Sequence, residues 1–430
     1  MPFKPVQKLA VSRTLASGEQ VQAGVLVQNR QGVFFQYDPA YVHHFGSLSP
    51  FYLPATNQLQ PAPAKPHAGL HGVFADSLPD GWGLLLQDRV FRQHGILPSQ
   101  LTAMDRLAFV GNCGMGALSY TPASDYRASH PVPTDLATLG MEAQALFDGQ
   151  TEDVLAALVA AGSSGGARPK AQLFFTPGEH AQCRTYPEAG DEAWLVKFTS
   201  QQLPLGHEEG SCEAAYLTMA AKADLLPPEW RLVDLITPAG PRRWLALKRF
   251  DWLAPTREGN PGRLHLHSAC GLLDADFRTP SLDYLDLIKA SRQLCKSPAA
   301  GQLQFRRAMF NLLACNQDDH SKNWAFLQDD QGHWQPAPFY DVTFSPHPFN
   351  EHATAFGGFG KAPPLKTIQQ LAASSGYSDW RQAQQQLQLI VDRIQQFGAI
   401  AQELGVAKMT IKAISAQLER CRQDNKALLG

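Results

Sequence analysis

Eight consecutive polar side chains, Asn316-Gln317-Asp318-Asp319-His320-Ser321-Lys322-Asn323, follow directly on the apolar run at 305–315. So long a polar stretch does not carry a helix onward into a core. It suits a loop at the end of a buried helix, where reactive groups are held on a rigid support. Within it Asp318 and Asn323 stand five residues apart, with Lys322 just before the second. A carboxylate can orient and deprotonate an attacking hydroxyl, an ammonium can meet developing negative charge, and an amide oxygen can ligate Mg²⁺. These are the groups phosphoryl transfer requires. Asp318 and Lys322 are therefore candidate catalytic residues and Asn323 a candidate metal ligand. A solvated loop with incidental charge accounts equally well for the segment taken alone.

Further elements in the chain weigh against that blander account. Asp-x-x-x-x-Asn is the spacing of a protein-kinase catalytic loop. The run Pro338-Phe339-Tyr340-Asp341-Val342 places Asp341 18 residues beyond Asn323. A turn aspartate capping its own backbone is the ordinary explanation of one such residue, but a hard cation needs two or more oxygen ligands, and Asn323 with Asp341 supplies them. Upstream, Gly162-Ser163-Ser164-Gly165-Gly166-Ala167-Arg168-Pro169-Lys170 is a flexible loop whose backbone amides can approach phosphate oxygens. It is not a Walker A loop, because Lys170 is followed by Ala171 rather than Ser or Thr. Its serines, Ser163 and Ser164, are candidate phosphorylation sites; an ordinary connecting loop is the alternative. Lys197 lies inside the apolar strand Trp194-Leu195-Val196-Lys197-Phe198, where an ammonium is costly unless paired. Lys170 and Lys197 are candidate phosphate-binding residues, with Glu213 the carboxylate partner of Lys197. Lys248 and Phe250 end the next strand-like run and are candidates to border an adenine; Lys248 reads equally as a surface residue on an edge strand.

The elements that must position these groups fall into three units. Residues 1–120 form a small β-rich unit. In it, 21–27 and 32–37 make a hairpin around Asn29-Arg30-Gln31, and 79–92 form a helix with Pro79 near its start. A stretch rich in Pro, Ser and Asp at 122–134 marks the first boundary. Residues 150–255 form a second unit, with a helix over 151–161, strands at 171–176, 193–198 and 243–250, and a helix over 213–223. Residues 256–430 are mostly helical. Leu303, Met309, Leu312 and Leu313 share one face there, and Leu387, Ile390, Val391, Ile394 and Phe397 share another. The fold class expected is α+β and two-lobed, like a protein kinase, with a small β-rich N-terminal subdomain and a mostly helical C-terminal lobe.

Composition sets outer limits. The chain has 430 residues, 44% of them apolar and 18% charged, enough for real cores. Its formal net charge of -2 argues against coating nucleic acid directly. Seven cysteines without a CxxC suit a reducing cytoplasm rather than a disulfide framework or zinc knuckle. There is no signal-type apolar segment at the N-terminus and no run of 18 apolar residues to span a membrane. His43-His44 and His265-x-His267 lack further ligands at metal spacing. Trp230, Trp244 and Trp252 suit packing better than base stacking.

Taken together, the chain resembles the HipA family of bacterial toxin kinases along nearly its full length. Residues 72–83 (Gly-Val-Phe-Ala-Asp-Ser-Leu-Pro-Asp-Gly-Trp-Gly) and 105–111 (Asp-Arg-Leu-Ala-Phe-Val-Gly) look like that family's N-terminal subdomain. Residues 163–170 look like its Gly-rich loop, 318–323 like its catalytic loop, and Tyr340-Asp341-Val342 like its metal-binding motif. The resemblance implies a Ser/Thr protein kinase that uses ATP and Mg²⁺ and autophosphorylates the Gly-rich loop. Ser163 matches the modified serine by its position relative to Lys170, while Gly165 stands where some relatives carry a second serine. The resemblance also implies a small HipB-like helix-turn-helix antitoxin as partner, DNA contact only through that partner, and a protein substrate. The family's characterised substrate is an aminoacyl-tRNA synthetase. Two rival readings remain open at this point: a small-molecule kinase on a similar fold, and a non-catalytic co-repressor subunit supporting a DNA-binding partner. Intact Asp318, Asn323 and Asp341 disfavour the second.

Overall fold

Asn29 and Gly32 face each other at the end of a hairpin, and the Gln31 amide donates to Asn29 Oδ1 at 2.7 Å to close the turn. The computed structural model describes residues 3–126, 133–162, 165–254 and 260–429. Strands β1 (Lys8–Thr14), β2 (Gln20–Asn29) and β3 (Gly32–Tyr37) are followed by α1 (Pro39–Phe45), β4 (Gln60–Pro61), α2 (Gly72–Ala75), α3 (Gly81–Gln93), α4 (Ala103–Val110) and β5 (Leu118–Thr121). The five strands form one sheet, in the order β4-β3-β2-β1-β5. Alternating residues such as Leu9, Val11, Leu26 and Phe35 turn inward against Phe74 of α2 and Leu107 of α4. The expected β-rich unit and its hairpin are thus present. Helix α3 belongs elsewhere: its Trp82 and Leu86 pack into the next core.

That core lies under a six-stranded sheet. Its elements are β6 (Pro133–Asp135), α5 (Leu136–Phe147), α6 (Ala156–Ala161), β7 (Lys170–Phe175), β8 (Gln182–Arg184), β9 (Glu192–Lys197), α7 (Glu209–Lys222), β10 (Trp230–Thr237) and β11 (Gly240–Lys248). The strand order is β10-β11-β9-β7-β8-β6, so β6 and α5, upstream of residue 150, already join this sheet. The helix expected over 151–161 is confined to α6. Ahead of it the Asp153 amide donates to Thr151 Oγ1 at 3.1 Å, a local side-chain bond that competes with helix. Register is what matters for chemistry: Lys170 on β7 stands directly opposite Lys197 on β9.

The rest of the chain is mostly helical, with small sheets at its edge. A ribbon of β12 (Trp252–Leu253) and β13 (Gly262–Arg263) precedes β14 (His265–Ser268), α8 (Ala269–Leu272), β15 (Leu282–Asp283), α9 (Tyr284–Cys295) and α10 (Pro298–Leu313). Then come β16 (Ala325–Gln328), β17 (Trp334–Pro336), β18 (Thr354–Ala355), α11 (Leu365–Ser375), α12 (Trp380–Ile394), α13 (Phe397–Glu403) and α14 (Lys408–Asp424). The face expected on α12 is buried through Leu387, Ile390, Val391 and Ile394. Helix α10 is buried all round, with Phe305, Phe310 and Asn311 inside as well as Leu303 and Met309, so it is the central post of this lobe rather than a one-faced helix. The α+β, two-lobed arrangement expected from sequence is the one observed. Among the described residues no helix is long and apolar enough to cross a membrane.

Candidate active site

Helix α10 ends where Cys315 adopts a left-handed φ of 55°, and the polar segment begins there. It is not a solvated loop: Asn316, Gln317, Asp319 and Ser321 are all buried. Asn316 donates to Asn311 Oδ1 at 2.8 Å and accepts from Ser345 Oγ at 2.8 Å, while Ser345 Oγ accepts from the Asp318 amide at 3.3 Å. Asp319 turns inward. Its carboxylate accepts from Tyr284 OH at 2.5 Å and from the Thr354 amide at 3.2 Å, and lies 2.9 Å from His352 Nδ1. With the neighbouring residue anchored, Asp318 is turned the other way, into the mouth of a cleft, with 68% of its side chain exposed. A single 3₁₀ turn, Ser321–Asn323, brings the chain back. The Asn323 amide donates to the Asp318 carbonyl at 2.7 Å, which leaves its Oδ1 as a hard oxygen ligand.

Asp341 reaches the same cleft from a strained backbone, φ 55°. The preceding Tyr340 donates to the Lys322 carbonyl at 2.6 Å, tying this segment to the first. Asp341 Oδ1 lies 2.6 Å from Lys197 Nζ, whose other bonds run to Glu213 Oε1 and Oε2 at 2.7 and 2.9 Å. The strand position of Lys197 and the helix position of Glu213 thus produce the expected ion pair, with a third member from the far lobe. Burial would raise the pKa of Asp341, but Lys197 and Lys170 more than reverse it and hold the carboxyl well below the usual range. Burial acts against the charge on Lys197 too; Asp341 and Glu213 overcome it and hold the pKa above that of an ordinary lysine. Lys170 is less well compensated. Burial lowers its pKa to about 8, Asp341 opposing and Lys197 adding to the effect.

The Gly-rich loop crosses above these groups. Lys170 Nζ donates to Gly165 O at 2.6 Å. Gly166 has φ 103°, a backbone conformation that favours glycine, and a Cβ there would sit 2.5 Å from Lys170 Nζ and push the ammonium aside. Arg168 pairs with Glu209 at 2.8 Å. Ser163 and Ser164 lie outside the described residues.

Two site residues came from outside the sequence candidates. Asp80, at the start of α3, accepts from the Gly166 amide and from Lys322 Nζ, the latter at 2.6 Å. Lys322 Nζ also lies 4.2 Å from the Phe277 ring centre. The only local signal for Asp80 was a Pro-Asp-Gly start to a helix. Asp319 could not be told from Asp318 by type or spacing. Lys248 corrects one expectation: β11 is flanked by β10 and β9, so it is not an edge strand. Its ammonium is held by Glu192 at 2.8 Å and Glu229 at 3.2 Å. Phe250 stacks on Tyr340, ring centres 5.7 Å apart. His265 and His267, discounted as metal ligands, are buried pegs between units. His265 Nε2 lies 2.9 Å from Leu48 O, and His267 sits 2.6 Å from Asp76 Oδ2 and 2.9 Å from Ser49 Oγ.

These groups surround one cleft of about 560 Å³ between the six-stranded sheet and the helical lobe. Its volume suits a nucleotide-sized ligand. Leu195, Leu247 and Phe250 give it an apolar wall, Lys170, Lys197 and Arg168 a cationic one, and Asp318, Asn323 and Asp341 an oxygen-rich floor. Thr343 Oγ1 is buried on the same lining without a hydrogen-bond partner among the described residues. The donor set fits a nucleoside triphosphate with a hard divalent cation: cations for phosphate, two oxygen ligands for metal, and an apolar slot for a base.

Comparison with known proteins agrees with this architecture. The family model described as "HipA-like C-terminal domain" matches residues 162–407, and "HipA N-terminal domain" matches residues 16–121. A curated protein of Sinorhizobium fredii named "Putative kinase Y4mE" is 29% identical over 187 residues. That match spans 42% of this chain and 41% of the relative, less than half its length. Among solved structures, a chain of the Shewanella oneidensis MR-1 toxin–antitoxin complex of HipA, HipB and operator DNA superposes with a TM-score of 0.66 at 15% identity. The superposition covers 96% of this chain and 97% of that one, and it establishes likeness of fold. The Helicobacter pylori proinflammatory kinase CtkA gives a TM-score of 0.39 at 13% identity, covering 60% and 92%. With its C-terminal domain model spanning more than half of the sequence and its N-terminal domain model covering much of the remainder, the chain belongs to the HipA family.

Proposed function

We propose that the chain is an ATP- and Mg²⁺-dependent Ser/Thr protein kinase and the toxin of a toxin–antitoxin pair. The observation that carries this reading is Lys197, whose one ammonium bridges Glu213 on α7 and Asp341 from the opposite lobe. A purely structural role needs only one carboxylate to neutralise a buried lysine. Two carboxylates leave net negative charge beside the cleft, which suits a cation. In this reading Asp341 and Asn323 hold the metal, which when bound neutralises charge on the phosphate oxygens. Lys197 and Lys170 hold the phosphates. Glu213 orients Lys197, and Phe250 borders the base beside the β11 strand end at Lys248. Asp318, exposed at the mouth, orients the acceptor hydroxyl and receives its proton, and Lys322 presents positive charge beside it.

The family membership extends the proposal to a small HipB-like helix-turn-helix antitoxin, to DNA contact through that partner, and to a protein substrate such as an aminoacyl-tRNA synthetase. It also extends to autophosphorylation at Ser163 or Ser164. A phosphate in that loop adds nearly two negative charges beside the nucleotide phosphates and switches the enzyme off by repulsion. Incubating the purified chain with radiolabelled ATP and Mg²⁺, wild type beside Asp318→Asn, tests the kinase reading. Label transfer by wild type alone supports it, and none by either overturns it. Peptide mass spectrometry of the same reaction decides the serines: an active kinase with neither one modified would sink the switch.

A further inference from the structure

The N-terminal unit is docked to the rest of the molecule at many places. Arg13 bonds Gln328 Oε1 at 3.1 Å, Asp76 accepts from the Ser268 amide at 2.7 Å, and Asp251 Oδ2 accepts from the Gly116 amide at 2.7 Å. Asp80 differs from these contacts because its two partners both belong to the candidate site. Oδ1 takes the amide of Gly166 in the Gly-rich loop, and Oδ2 takes Nζ of Lys322, 242 residues away in the catalytic segment. The next residues in the chain, at the start of α3, frame the loop as well. The Trp82 amide donates to Gly166 O at 3.0 Å, and Trp82 Nε1 donates to Lys170 O at 2.9 Å. Gly81 has φ 40°, and a Cβ on it would come within 2.6 Å of Ala167 Cα and Gly166 O, so the contact is backbone on backbone. Gly165 is less tightly placed but adjacent: a Cβ there would sit 3.2 Å from Asp80 Oδ2.

We propose that Asp80, though it lies on neither the Gly-rich loop nor the catalytic segment, is a positioning residue for phosphoryl transfer, its single carboxylate setting the Gly-rich loop and Lys322 at the spacing one set of phosphates requires. The inference rests on the kinase reading of the cleft. A lysine ammonium has three N–H bonds; one is spent on Asp80, and two remain for phosphate oxygens. The loop amide held at Gly166 is fixed by the other oxygen of the same rigid carboxylate, so loop and ammonium cannot drift independently. Burial acts against the charge on Asp80, but Lys322 and the Gly166 amide outweigh it and keep its pKa below the usual carboxylate value. Docking does not need this residue, given the other contacts. Asp80 caps α3 by position without a side-chain cap bond, so its loss leaves that helix intact.

The test uses the full chain and the isosteric variant Asp80→Asn, which keeps the shape and loses the charge. Hydrogen exchange of the 165–170 backbone without nucleotide should speed up. The KM for Mg-ATP should rise and kcat fall, together lowering kcat/KM by roughly a hundredfold, the scale of a misplacement of about 1 Å. The melting temperature should fall, since a buried ion pair is lost, while circular dichroism shows the chain still folded. In a double-mutant cycle with Lys322→Met, the two losses should be strongly non-additive, because the residues act as a unit. Unchanged exchange and unchanged kinetics in a folded Asp80→Asn, beside an active wild type, overturn the role of Asp80 alone, as does simple additivity. A wild-type chain that neither binds nor turns over Mg-ATP overturns the kinase reading and this role with it.

Discussion

Lys197 Nζ and Asp341 Oδ1 lie 2.6 Å apart although 144 residues separate them in sequence. The contact joins β9 of the six-stranded sheet to a strained residue of the helical lobe, so it reports directly on how the lobes close. Asp341→Ala should leave Lys197 paired with Glu213 and the fold intact, while phosphotransfer falls at least about a hundredfold through lost charge neutralisation. Steady-state kinetics beside circular dichroism would check this. Wild-type turnover in a folded Asp341→Ala would remove Asp341 from the site.

Magnesium should matter to binding as well as to turnover. ATP alone brings four negative charges to a cleft that already holds Asp318 and Asp341, so its affinity should be weak and should rise when the cation is present. A ligand at a hundred times its Kd stabilises by about 2.7 kcal/mol, which a thermal shift resolves. Wild type should show a larger shift with Mg-ATP than with ATP, and Asn323→Ala should lose most of the difference. Equal shifts with and without Mg²⁺ in wild type would count against this pair as the metal site.

How much of this site was legible from sequence depended on whether its signal was local. Asp318 and Asn323 are linked by one loop, so their spacing survives in the chain. Lys197 stood out because an ammonium inside an apolar strand demands a partner. Asp80 gave no such sign: its partners are 86 and 242 residues away, and only tertiary packing brings them together. The choice between Asp318 and Asp319 is also tertiary, fixed by Tyr284, His352 and Thr354 from other elements. At the level of fold, the Pro- and Ser-rich stretch near 122–134 read as a boundary. Its last residues are strand β6, whose pairing with Cys183 and Arg184 supplies the order that local propensity lacks.

Lys170 makes nucleotide affinity pH-dependent in a predictable direction. Burial brings its pKa from the ordinary 10.5 to about 8, with Asp341, Lys197, Asp80 and Glu213 the charged neighbours. Between pH 8 and 10.5 the unfolded chain holds this proton and the folded chain has released it, so this group makes stability rise with pH across that window. Ligand binding runs the other way. Phosphate favours the protonated amine, so Mg-ATP affinity should fall as pH rises through about 8, with proton uptake on binding. Calorimetry in buffers of different ionisation enthalpy would detect the uptake. Lys170→Met should bind weakly at every pH and abolish the slope; an unchanged slope in that variant would assign the effect to another group.

Adjacent aspartates should give opposite phenotypes. Asp318 is 68% exposed, and among the described residues its side chain has no ion-pair partner closer than His320, 3.7 Å away. Asp318→Asn should therefore change stability by no more than about 0.5 kcal/mol, as exposed substitutions do. Its effect should fall on rate, roughly 10²–10⁴-fold, the usual contribution of a positioned base. Asp319 is fully buried, and its carboxylate gathers Tyr284 from α9 and His352 and the Thr354 amide from the segment at the start of β18. Asp319→Ala strips those donors of their acceptor inside the core, and losing such a buried charged centre costs about 3 kcal/mol. The urea midpoint should drop accordingly, and activity should be lost through misplacement of Asp318 rather than through chemistry. Lowering the temperature should then restore part of the turnover in Asp319→Ala and none in Asp318→Asn. If Asp318→Asn turned over like wild type, or Asp319→Ala unfolded at the wild-type urea concentration, the division of labour drawn from their opposite orientations would be wrong.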